Sequence, residues 1–108
     1  NVEGYIRDRY VYLDEQIETL LTPEFMLKGL EANHYIVGDC DDISTLHAAI
    51  LTCLDFPVKF VVIRSTQSDP AYDHVFIEAK NGNLWIPYDL TVPKGTVLEY
   101  YGKVEIAI

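Results

Sequence analysis

Residues 38–54 read GDCDDISTLHAAILTCL, a cysteine set among acidic residues where an apolar run begins. Ile43, Leu46, Ile50 and Leu54, with Cys53 beside it, recur at helical spacing, so one face of this segment belongs to a core. Asp39, Asp41 and Asp42 suit an N-cap and a first turn. Cys40 therefore falls at or next to the N-terminus of a buried helix. Free backbone N–H groups and the helix dipole favour a thiolate there and can hold a developing oxyanion. The three aspartates act in the opposite sense, so a base close to the thiol is required.

That base is sought in the strands that follow. Asp55-Phe56-Pro57 stops the helix. Val58 to Ile63 is a nearly continuous apolar run, as in a strand buried on both faces. Arg64 to Ala71 is a polar surface loop. His74 to Ala79 and Leu84 to Asp89 read as two strands joined at Asn81-Gly82, a strong hairpin signal. With Asn81-Gly82 as a two-residue turn, Lys80 faces Asn83, Ala79 faces Leu84 and Ile77 faces Ile86. Continued without a bulge, that register sets His74 opposite Asp89, with Cβ atoms ~5 Å apart on one face. An aspartate there fixes the imidazole tautomer and leaves the other ring nitrogen for a nucleophile. The same face carries Phe76, Glu78, Trp85 and Pro87. The opposite face, Val75, Ile77, Ala79, Leu84, Ile86 and Tyr88, is uniformly apolar, so both faces are expected to be covered. If the helix packs on the His74 face, Cys40 meets His74. A bulge at Pro87 would shift the register.

Upstream, Val2, Ile6 and Tyr10 share a helical spacing within residues 1–20, although Tyr10 to Tyr12 also suits an extended segment. Thr22-Pro23-Glu24 starts a second helix, with Thr22 as N-cap and Pro23 at its first position. Phe25, Met26, Leu27 and Leu30 give it an apolar side and Asn33 a stop. Gly38 frees the backbone for the turn into Cys40. Val97 to Tyr101 and Val104 to Ile108 read as further strands about Gly102.

The chain has 108 residues, 49% hydrophobic and 12% aromatic, the composition of a folded domain. That length is expected to form one domain, residues 1–108, whose core needs neither disulfides nor metal. The chain begins at Asn1 without an initiator Met, as a processed or trimmed piece of a longer chain would. The net charge of -9, from 17 acidic and 8 basic residues, argues against a nucleic acid or an anionic membrane as partner. No apolar run approaches the ~20 residues of a membrane helix. Cys40 and Cys53 on one helix stand roughly 19 Å apart and cannot pair. Two thiols that cannot pair point to a reducing compartment, and Cys53 reads as a small buried apolar residue. The acidic turn lacks CxxC, HxxxH and EF-hand spacing, so no metal is expected, and no cofactor. His34 and His47 have no partner pattern, and His47 reads as a buried structural residue. Each site residue taken alone also has a plainer reading: a structural cysteine, a satisfied strand histidine, a turn-forming aspartate.

The order Gly38-Asp39-Cys40, Phe56-Pro57-Val58, Asp73-His74-Val75 and Trp85-Ile86-Pro87-Tyr88-Asp89-Leu90-Thr91 resembles the transglutaminase-like superfamily, within the papain-like cysteine enzymes. The resemblance runs from about Pro23 to Val92. It implies an α+β fold in which a Cys-led central helix packs on an antiparallel β-sheet. It implies Cys40 as nucleophile, His74 as base and later acid, and Asp89 as orienter. The implied chemistry is acyl transfer at a peptide or protein amide through a thioester, with release to water or an amine. The Cys40 N–H would be one oxyanion donor, with Tyr35 or Asn33 supplying a second. Asp41, Asp42 and Trp85 are the candidates for a substrate cleft. The GDCDD form and compact size are similar to versions encoded by tailed phages and prophages, so a cytoplasmic or phage-associated setting is expected. Some members of the superfamily are binding or assembly modules, and the rival expectation is a non-catalytic module with a protein partner, as in a phage particle.

Overall fold

The computed structural model describes residues 2–12, 22–33, 36–68 and 71–108. Helix α1 (Val2–Arg7) leads into the short strand β1 (Tyr10–Tyr12). Helix α2 (Pro23–Asn33) follows, then strand β2 (Ile36–Gly38), which pairs in parallel with β1. The expected continuation of the first helix over 13–20 lies outside the described residues.

Helix α3 (Cys40–Cys53) starts where the capping chemistry places it. The Asp39 carboxylate accepts from the Asp42 backbone N–H at 3.3 Å, and the Asp42 carboxylate accepts from the Asp39 N–H at 3.2 Å, which together close a capping box. The helix ends in a Schellman turn: the Phe56 N–H reaches the Leu51 carbonyl and the Asp55 N–H that of Thr52. Asp55 takes a positive φ of 67° to make that turn.

Strands β3 (Val58–Arg64), β4 (His74–Asn81), β5 (Leu84–Tyr88) and β6 (Gly102–Ala107) form one antiparallel sheet in the order β5-β4-β3-β6. The core lies between α3 and this sheet, where Ala48 and Leu51 pack on Val58, Ile77 and Ala79. The other side of α3 packs Ile43 and Leu46 against Ile6, Met26 and Leu90.

Three details differ from the sequence reading. The hairpin turn is Gly82-Asn83, with Asn81 opposite Leu84 and Ile77 opposite Tyr88. Gly82 carries a positive φ of 64°, which suits a turn with glycine first rather than second. Every cross-strand partner therefore moves by two positions, which leaves the faces as assigned. Pro87 causes no bulge; it sits on the edge strand opposite Glu78. Second, α3 covers the uniformly apolar Ile77/Ala79 face, not the His74 face, which holds Lys59 and Glu78 as an ion pair. The His74 face is covered by Leu98, packed on Val61, Ile63 and Phe76. Third, residues 97–101 form no strand, and Cys53 is exposed rather than buried.

Candidate functional site

Cys40 is the first residue of α3, and the turn before it is held from two sides. A Cβ at Gly38 would lie 2.7 Å from the Asp42 Cβ, so only glycine lets the chain pass this close to the capping aspartate. The Tyr10 hydroxyl donates to the Gly38 carbonyl at 2.7 Å. Burial, and then the neighbouring Tyr12, Asp39, Cys40 and Asp42, push the Tyr10 phenol well above its ordinary range, so at neutral pH it is a fixed donor.

His74 is the first residue of β4. The N-terminal half of α3 runs along that end of the strand, where the Ser44 hydroxyl donates to the Val75 carbonyl at 3.3 Å. His74 thus reaches Cys40 from the strand end even though α3 packs on the other face. The imidazole Nε2 is 2.5 Å from the Asp89 Oδ2, and the Cys40 thiol lies near enough to the ring to raise its pKa. With Nε2 engaged by Asp89, Nδ1 is the nitrogen left for the thiol. The pair forms without the direct cross-strand opposition expected from the hairpin: Asp89 lies just beyond β5, and its loop turns it toward His74.

That loop is tightly held. The second oxygen of Asp89 accepts from the Thr91 N–H at 3.0 Å and from the Thr91 hydroxyl at 2.6 Å. Arg7 on α1 donates to the Asp89 carbonyl at 3.0 Å and to the Val92 carbonyl at 2.6 Å, and its Nε bonds Glu3 at 3.1 Å. A planar guanidinium can serve these three acceptors at once.

The electrostatics follow from these contacts. The hydrogen bond with Asp89, then that with Cys40, outweighs burial and raises the His74 pKa to about 10. Burial would raise the Asp89 carboxyl, but the bonds from His74 and Thr91 prevail and hold it below its usual value. At neutral pH the pair is imidazolium and carboxylate.

The remaining candidates divide. Asp41 stays beside the thiol, its Oδ1 3.7 Å from the Cys40 Sγ. Asp42 does not face a cleft: it is fully buried and closes the helix cap. Trp85 lies opposite Lys80, six positions along β4 from His74, a span of about 20 Å. There the Lys59 ammonium sits 4.5 Å from the centre of its ring. Trp85 is therefore remote from Cys40. Tyr35 and the side chain of Asn33 lie outside the described residues, as does His34. His47 is buried, as expected. Arg7, Tyr10 and Thr91 were not singled out from the sequence. Thr91 had a local signal, an aspartate followed two positions later by threonine; Arg7 and Tyr10 had none.

Among the described residues, no three or more His, Cys, Asp or Glu side chains are grouped so as to hold a metal ion. No helix among them is long and apolar enough to cross a membrane.

No family model and no curated protein matches the sequence. Among solved structures, the chain is similar to a "putative cysteine protease" from Cytophaga hutchinsonii, with 22% identity and a TM-score of 0.67. The similarity covers 98% of this chain and 33% of that one, so the chain spans about a third of that protein's length. It establishes the fold: a helix led by Cys40, packed on an antiparallel sheet, in an arrangement similar to that of the neighbour.

Proposed function

We propose that the domain is a cysteine-dependent amide-bond hydrolase or acyltransferase, a peptidase in its simplest form, with Cys40, His74 and Asp89 as its triad. The observation that carries this reading is the His74–Asp89 pair, with the Cys40 thiol at the start of a buried helix close enough to raise the His74 pKa. The thiolate of Cys40 adds to the scissile carbonyl, and the oxyanion is held by N–H groups at the α3 N-terminus. His74, as imidazolium, gives its proton to the departing amine, which leaves a thioester on Cys40 and a neutral imidazole. The imidazole then takes a proton from water, or from an acceptor amine, as it attacks the thioester, and the Cys40 thiolate leaves beside the resulting imidazolium, which restores the starting pair. Asp89 keeps the ring oriented throughout. A peptide or protein substrate fits this chemistry. The GDCDD motif supports a phage or prophage setting.

The test is the rate of iodoacetamide labelling of Cys40 against pH, in a Cys53→Ala background because Cys53 is exposed. A step at neutral or lower pH that disappears in His74→Ala is expected. A single step near the free-thiol value of ~8.5 in both proteins would reject a catalytic pair. It would leave a binding or assembly module with this fold.

A further inference from the structure

The sheet ends on β6, a regular edge strand two strands away from β4. It pairs with β3 over six positions without a bulge, from Lys59 opposite Ala107 to Arg64 opposite Gly102. In the order β5-β4-β3-β6, no strand among the described residues lies on its outer side. Val104 and Ile106 face the α3 side of the sheet but lie beyond the strands that α3 covers, and they are 46% and 52% exposed. Lys103 and Glu105 alternate with them on the other face. Natural edge strands carry charged side chains, a bulge or a proline to prevent pairing; β6 has neither bulge nor proline, and its two charges, Lys103 and Glu105, neutralise each other at 2.9 Å within the strand.

We propose that β6 pairs antiparallel with β6 of a second copy of this chain, about a two-fold axis at Val104. Charge selects that register. It sets Lys103 opposite Glu105 of the partner subunit, and Glu105 opposite Lys103 of the partner subunit. A slip of two positions either way sets Lys103 against Lys103 of the partner subunit, or Glu105 against Glu105 of the partner subunit. A slip of one position sets valine and isoleucine against the charged residues. Space selects it too. Ile106 of the partner subunit falls opposite Gly102, where a Cβ would touch the Tyr72 hydroxyl at 2.9 Å. The Tyr72 ring, 49% exposed, provides an apolar surface for it. The contact is isologous, so it closes as a dimer and does not propagate. Five paired residues form less than a standard interface, so the dimer depends on concentration.

The test is sedimentation velocity across a concentration series, from about 10 µM to about 1 mM, on the intact chain. The wild type is expected to pass from monomer to dimer. Lys103→Glu, and separately Glu105→Lys, each set like charges across both symmetric contacts and are expected to weaken association about tenfold. An equimolar mixture of the two variants is expected to restore it, because each strand then meets the opposite charge. Glu105 also bonds Lys59 at 3.0 Å, so Glu105→Lys risks disturbing the fold. Lys103→Glu is therefore paired with a second readout, concentration-dependent amide-exchange protection confined to residues 102–106, present in the wild type and reduced in the variant. A wild type that stays monomeric throughout overturns the proposal. So does a dimer that Lys103→Glu leaves unchanged, or β6 amides whose exchange ignores concentration, as they would if the strand serves a different protein.

Discussion

His47 should make this domain acid-labile, and the size of the effect can be worked out. Its side chain is 2% exposed, its Nδ1 has no hydrogen-bond partner, and its ring meets Tyr88 edge-on at 5.4 Å. Burial lowers its pKa from 6.5 to about 4, with Glu3 opposing and Arg7 assisting. The folded protein then takes up the proton less readily than the unfolded chain. The contribution to stability is complete above pH ~6.5 and is lost as the pH falls toward ~4. At about 1.4 kcal/mol per pH unit, the loss is roughly 3 kcal/mol, a large share of a small domain's stability. The perturbation is His47→Phe, which keeps a ring against Tyr88 and removes the titrating group. The assay is urea unfolding followed by circular dichroism at intervals from pH 7 to pH 4. The wild type should lose about 3 kcal/mol more than the variant across that window. His74 does not confuse the comparison, because a raised pKa contributes a constant amount below ~6.5. The carboxylate of Asp89, held below its usual value, acts at lower pH still. A stability difference between the two proteins that stays constant from pH 7 to pH 4 would refute the reasoning.

Other perturbations act at the site and its supports. His74, raised to about 10, contributes stability that is full below pH ~6.5 and declines as the pH rises toward 10. In Asp89→Asn that alkaline decline should shrink, and the ring should titrate nearer 6.5 by NMR. Arg7→Gln should destabilise by about 1.5–3 kcal/mol in urea melts, and should lower the His74 pKa as Asp89 loosens. Gly38→Ala should cost about 1–3 kcal/mol and slow Cys40 labelling; unchanged labelling would mean that the turn has room to adjust. Asp55→Gly relieves the positive φ at the end of α3 and should raise stability by about 0.5–1 kcal/mol, seen as a higher melting temperature.

Features set by neighbours in the chain were legible before the structure. The cap, the first-turn acids and the apolar period of α3 lie in consecutive residues, so the helix and the position of Cys40 followed directly. The existence of the hairpin also followed, but its register depends on which turn residue takes the positive φ. Asn81-Gly82 and Gly82-Asn83 are both good turns, and the two-position difference is invisible to a face-by-face pattern. Meeting His74 would require the helix above its face only if His74 stood in mid-strand. A residue at the end of a strand escapes that constraint. The expected His74–Asp89 contact was therefore reached by a different route, through a loop fastened by Thr91 and Arg7. Arg7 acts on a carbonyl 82 positions away and Tyr10 on one 28 positions away, and no local pattern announces such partners.

The clamp made by Arg7 has a consequence for how the chain assembles in time. The thiol, the imidazole and the carboxylate lie within one stretch of chain, yet the loop carrying Asp89 is tied to the first helix, across nearly the full sequence. Contacts of such separation close late in folding. During synthesis, Cys40 and His74 leave the ribosome before the residues that finish the site, and the N-terminal helix waits for the loop after β5. A chain emerging in that order carries an unaligned histidine until its two ends meet. The arrangement leaves the His74–Asp89 pair without its fastening until the domain is nearly complete.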